Sequence, residues 1–210
     1  SGYKAGINYK NTFRVEHGVL KVSYDEYEKF NGEFGHLFYK DKFSHYKLRV
    51  EYRFTDEQIA DGPSWALLNN GIMLHCQSPG SMAKEQNFPV SVEVQLLGDN
   101  GSGNRPCGNP CTPGTNFIKN DSLITEHCPP LSNVTVTADD WHTMDVEVLG
   151  SKSIKHILNG EVVAYYEQPQ LDENDADAQQ FLTGENLLIS EGYIAIQAET
   201  HPIEFRKIEL

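Results

Sequence analysis

Apolar and polar residues alternate with a period of two wherever a periodicity can be read along this chain, the spacing of strands that bury one face. The run from Lys47 to Phe54 puts Leu48, Val50, Tyr52 and Phe54 on one side and Arg49, Glu51 and Arg53 on the other. Ser91 to Leu96 sends Val92, Val94 and Leu96 inward and Ser91, Glu93 and Gln95 outward, and Tyr193 to Ala198 repeats the pattern with Gln197 on the polar side. Further strands are expected at 12–16, 18–24, 34–39, 71–76, 143–149, 153–158, 161–166 and 203–209. These runs end at Gly, Asn, Asp or Pro, and Asn159-Gly160 joins two of them as a hairpin, because both residues tolerate the positive φ of a type I′ turn. Helix is confined to short pieces near 56–60 and within the acidic stretch 172–182. About eleven strands, with no internal repeat and no linker, predict an all-β chain: one two-sheet jelly-roll sandwich over residues 1–210, with a long loop excursion at 98–133.

Charge and cysteine content narrow the function. Thirty acidic against seventeen basic residues give a formal net charge of -13, which repels a phosphate backbone or an anionic membrane surface. No apolar run is long enough to span a bilayer. The opening Ser1-Gly2-Tyr3-Lys4 lacks an apolar signal core, so any export signal or lipoprotein anchor lies outside this sequence. Cys76, Cys107, Cys111 and Cys128 fall in one loop-rich stretch, which points to two disulfides and a secreted, periplasmic or cell-surface location. Four cysteines permit three pairings. A zinc site finds less support, since no second close pair repeats the spacing of Cys107 and Cys111.

The polar strand faces are chemically particular. Glu51 and Arg53, Glu93 and Gln95, and Gln197 supply the carboxylates, amides and guanidinium groups that hydrogen-bond several sugar hydroxyls, although outward charges are also the default of a solvated sheet. His75 closes the run Asn69-Asn70-Gly71-Ile72-Met73-Leu74 and is able to act as acid or base near neutral pH. The remaining histidines form no helical ligand pattern, so no metal and no cofactor is expected; an oxygen-ligated Ca²⁺ would leave no such signature. There is no G-x-S-x-G elbow, and the segment from Gly98 to Gly103 lacks the lysine of a phosphate loop.

Several segments, in a consistent order, resemble the 3-keto-disaccharide hydrolase domain family. They are Phe43 to Phe54, Asn69 to His75, Phe88 to Leu97, Cys111-Thr112-Pro113-Gly114-Thr115, Trp141, Asn159-Gly160, Gly192 to Gln197 and Ile203 to Ile208. The resemblance implies a concanavalin A-like lectin/glucanase jelly roll whose concave face carries Glu93 and Gln95, export from a bacterium, and sugar substrates oxidised at C3. Glu199-Thr200-His201 stands where relatives often carry an Asp-His-Gly turn. Together with the clustering, the resemblance around Cys111 suggests the pairs Cys111–Cys128 and Cys76–Cys107.

A ketone at C3 acidifies the proton at C2, so a positioned base can remove it and the aglycone at C1 can leave; water can then add to the glycal. On this reading His75 and Glu93 share the base and acid roles, Arg53 or Gln95 hydrogen-bonds the enolate oxygen, and Glu51, Asn70 and Gln197 complete the sugar contacts. Two other functions are open to the same face. One is a carbohydrate-binding module without turnover; the other is a hydrolase of unmodified sugars using Glu51 and Glu93 as its carboxylate pair.

Overall fold

A computed structural model describes residues 6–210. Fourteen strands form two antiparallel sheets. The larger sheet has nine, in the order β1 (Phe13–Glu16), β2 (Val19–Val22), β14 (Ile203–Glu209), β4 (His45–Phe54), β10 (His142–Leu149), β11 (Ser153–Leu158), β12 (Glu161–Leu171), β8 (Thr115–Lys119) and β9 (Ser122–Ile124). The smaller has five: β3 (Gly35–Phe38), β13 (Tyr193–Ala198), β5 (Asn69–Cys76), β6 (Val92–Leu97) and β7 (Pro110–Cys111).

Alternation decides what lies between them. Leu48, Val50, Tyr52 and Phe54 of β4 meet Val92, Val94 and Leu96 of β6 and Ile194 and Ile196 of β13 in one continuous core, joined by Phe117, Met144, Ile154, Tyr166 and Phe205. Each such side chain contributes about 1.5–3 kcal/mol by leaving water. A register slip of one residue would put Glu93 and Gln197 into that core, so burial fixes which faces look outward. The β11–β12 hairpin turns at Asn159 and Gly160, with φ of 50° and 90°.

The expectations for helix and loop are met unevenly. No helix forms at 56–60, where Asp56 has a φ of 54° that no helix admits. Within 172–182 the expected short helical piece is a 3-10 turn at Gln179–Phe181, kept short because the carboxylates of Asp172 and Asp175 accept bonds from the backbone N–H groups of Asn174, Asp177 and Ala178. The excursion at 98–133 is partly sheet, since it carries β7, β8 and β9.

Cys111 and Cys128 form a disulfide. Cys76 and Cys107 do not: both are buried free thiols. Cys107 belongs to the core between the sheets, its Sγ 3.2 Å from the Tyr52 hydroxyl, whereas Cys76 packs with Met73 and Ala195 in a separate cluster. The small sheet lies between the two sulfurs.

Candidate active site

The outer face of the five-stranded sheet is built around a residue with no side chain. Gly71 sits on the middle strand β5, and the carboxyl of Glu93, from β6, lies where a Cβ on Gly71 would stand. On the other flank β13 pairs Ile196 with Ile72, which brings Gln197 alongside Gly71. Glu93 therefore approaches from one side and Gln197 from the other. Beyond the end of β13 follow Glu199 and His201, across a turn in which Thr200 takes a φ of 95°.

The electrostatics mark this cluster out. Burial pushes the Glu93 carboxyl up to about 8. Glu199 is raised well above the usual carboxylate range by burial and further by the charge of Glu93, while Arg105 opposes the shift. Two buried carboxyls that act on one another resist ionising together, so both stay protonated at neutrality and give up their protons as a pair at higher pH. The charge of Glu93 is itself a cause of the Glu199 shift, so the two carboxyls titrate as one system. His201 is held near 4 by burial and by Arg105, and His36, opposite Gln197 on β3, near 3 by burial; both rings are neutral.

Several buried polar atoms here have no partner within the protein: both side-chain atoms Nε2 and Oε1 of Gln197, Oε2 of Glu199, both ring nitrogens of His201 and Oδ1 of Asn69. Buried polar groups are almost always hydrogen-bonded, and a group of exceptions in one place is the mark of a ligand site. The segment from Gln77 to Val90 roofs part of this face. A buried Gln77–Gln86 pair staples it, with Gln86 Nε2 donating to Gln77 Oε1 at 2.7 Å, and Phe88 comes edge-on to the His36 ring.

The expected site residues divide between the faces. Glu93, Gln95 and Gln197 share the outer face of the small sheet. Asn70 is fully buried, and its Nδ2 donates to the Gln197 carbonyl at 2.8 Å, so it positions the strand carrying Gln197. His75 stands apart from Glu93. Its φ of 51° interrupts β5 beside the irregular pairing with β13, and its ring reaches Gly150 O at 3.2 Å, in the turn between β10 and β11 of the other sheet.

Glu51 and Arg53 lie on the far side of the sandwich, on the outer face of the large sheet, where Glu51 bonds Arg206 and Arg53 bonds Glu204 and covers Trp141. They are separated from Glu93 by the whole core, so Glu51 and Glu93 cannot flank one glycosidic bond. The sequence places Glu199 and His201 in the turn after Gln197 without giving them a role, and it gives no pointer to His36 or Arg105. Glu199 was detectable, since it continues the alternation two residues beyond Gln197. Arg105 was not, because it enters from an irregular loop.

A cavity of about 390 Å³ lies next to this face, lined by Glu85, Asn116, Asp172, Asp175 and Asp177 among others. Asp172 and Asp175 are engaged with their own loop amides, and the lining does not include Glu93 or Gln197. Among the described residues no group of three His, Cys, Asp or Glu side chains is arranged to hold a metal ion. The unpartnered groups around Glu93 therefore make the stronger candidate.

The family model for the 3-keto-alpha-glucoside-1,2-lyase-like domain matches residues 1–210. The chain belongs to this family. A search of curated proteins returned no match. Among solved structures, a protein described as a glycosyl hydrolase from Parabacteroides distasonis is 17% identical with a TM-score of 0.56, covering 94% of this chain and 88% of that one. Porphyranase B from Zobellia galactanivorans is 8% identical with a TM-score of 0.53, over 97% and 82% of the two chains. A carbohydrate-binding module from Bacillus subtilis is 9% identical with a TM-score of 0.51, over 94% and 89%. At these identities the likeness is one of fold: the family's sandwich is an architecture that carbohydrate-cleaving and carbohydrate-binding proteins share.

Proposed function

We propose that the chain cleaves 3-keto glycosides by removing the proton at C2, with Glu93 as base and Glu199 as acid. The observation that carries this reading is a pair of buried carboxyls, both raised by burial, beside unpartnered amide and imidazole groups. A carboxylate whose conjugate acid titrates near 8 is a stronger base than an ordinary one, and a C–H acidified by a neighbouring ketone calls for such a base. The C2–H electron pair moves into a C2–C3 enolate as Glu93 takes the proton. Gln197 Nε2 is a donor for the enolate oxygen, as an oxyanion stabiliser is. The enolate then re-forms the C3 ketone, a C1–C2 double bond develops, and the C1–O bond breaks. Glu199 delivers its proton to the leaving alkoxide. The products are an unsaturated 3-keto sugar and the free alcohol, and addition of water to the former gives net hydrolysis.

The test is aglycone release from paired substrates, a 3-keto glycoside and its unoxidised parent. Release from the first alone is expected, and Glu93→Gln should lower kcat by about 10²–10⁴, the usual contribution of a positioned base. His75→Ala, away from the pair, should keep its rate. Binding of both sugars with turnover of neither would make the domain a binding module, and equal rates on both would overturn the elimination.

A further inference from the structure

The sandwich has two tryptophans, and they are used differently. Trp141 lies between two guanidinium groups, with Arg53 at 4.8 Å and Arg206 at 4.5 Å from its ring. Trp65 is 52% exposed and has no such cover. It sits on a single 3-10 turn, Ser64–Ala66, just before β5. Its ring meets Phe34 at 5.9 Å, Phe34 meets Phe88 at 5.0 Å, and Phe88 meets His36 at 6.1 Å. His36 pairs with Gln197. An aromatic wall thus climbs from the floor of the candidate site to solvent.

A second connection ties Trp65 to the carboxyl pair. The Trp65 carbonyl accepts bonds from Asn69 Nδ2 at 3.4 Å and Arg105 Nη2 at 3.5 Å. Arg105 is the residue whose charge acts on Glu199 and His201. The turn that carries the indole therefore stands at the mouth of the site, on the side of the proposed proton donor. The leaving group departs toward that donor.

We propose that Trp65, backed by Phe34, is the platform on which the leaving half of the glycoside stacks when that half is itself a ring. This rests on the elimination reading above for the identity of the two halves, though not for the stacking itself. The alternating C–H faces of a pyranose are apolar, and an indole supplies a large rigid apolar surface at small cost in conformational entropy. Glu199 and Arg105 would hold the hydroxyl edge of the same ring. Binding energy from this remote ring would position the C1–O bond for departure.

Two measurements test it with the full chain. In the first, KM is compared for the 3-keto derivatives of maltose and of methyl α-glucoside. Trp65→Ala should raise KM for the two-ring substrate about tenfold, equivalent to about 1.4 kcal/mol, and for the one-ring substrate less than about twofold, with Trp65→Phe restoring most of the loss. Equal effects on both substrates, or none on either, would overturn the assignment. The second needs no turnover. Trp141→Phe leaves Trp65 as the sole tryptophan, and its emission should shift on titration with unoxidised maltose and stay constant with methyl α-glucoside. No shift with maltose, or the same shift with both sugars, would sink the platform. A shift in a chain that cleaves no 3-keto glycoside would sink the elimination reading and leave the platform standing.

Discussion

The carboxyl of Glu93 occupies the space that a Cβ on Gly71 would fill. The backbone of Gly71 does not require glycine, since its φ is not positive. The constraint comes from the neighbouring strand, and the residue that imposes it is the proposed base. Gly71→Ala should therefore fold and yet displace the carboxyl. A fall in kcat of about 10² is expected from a misplacement on the order of 1 Å, with the far-ultraviolet dichroism unchanged. Full activity in the alanine variant would show that the position of Glu93 above β5 is irrelevant to the chemistry.

The raised titration of Glu93 has a cost in stability with a definite sign. In the folded chain the carboxyl holds its proton to about pH 8, whereas an unfolded glutamate releases it near 4.3. Below about pH 4 both states are protonated and no penalty arises; between there and about 8 stability falls as pH rises, and above 8 it levels off. Glu199 pulls in the same direction. Glu93→Gln should unfold at the same temperature as the parent near pH 4 and at a higher one at pH 8. In the active enzyme kcat/KM should fall about tenfold per unit as pH drops below the limb belonging to the pair. A difference in melting temperature independent of pH would remove the desolvated carboxyl from the account.

The cysteines divide into a bond and two sheltered thiols. Native protein should expose no reactive thiol, and denaturant without reductant should release two, from Cys76 and Cys107. Burial raises both of those thiols above the ordinary range, which slows their reaction further. Opening the Cys111–Cys128 bridge, a separation of 17 residues, should cost about 3 kcal/mol. Four thiols in the unreduced denatured chain would exclude the bridge, and none would restore the second pair.

What could be read beforehand follows from where the physical signal is local. Alternation in β4, β6 and β13 announced the strands and the side of each that faces the core, and Asn159-Gly160 announced its turn. That same alternation gave Glu93, Gln95 and Gln197 a polar face and gave Glu51 and Arg53 one too, but it carries no information about which sheet a strand joins. Only the pairing of β4 with β10 and β14 shows that the two polar faces look in opposite directions. The placement of His75 was illegible for a related reason, since one left-handed residue in a strand redirects its side chain and leaves no mark in composition. The strands of the excursion, β7, β8 and β9, are short and interrupted by Pro, Gly and Asn, so their periodicity never accumulates.

The small sheet ends, on the Glu93 side, in the two residues Pro110 and Cys111. A proline has no N–H to offer an approaching strand, and the disulfide from Cys111 holds the covering loop against the same edge. A long regular border there would invite another chain to extend the sheet beside the carboxyl pair and close off the sugar's approach. The blunted border discourages such stacking and leaves the face of the carboxyl pair open.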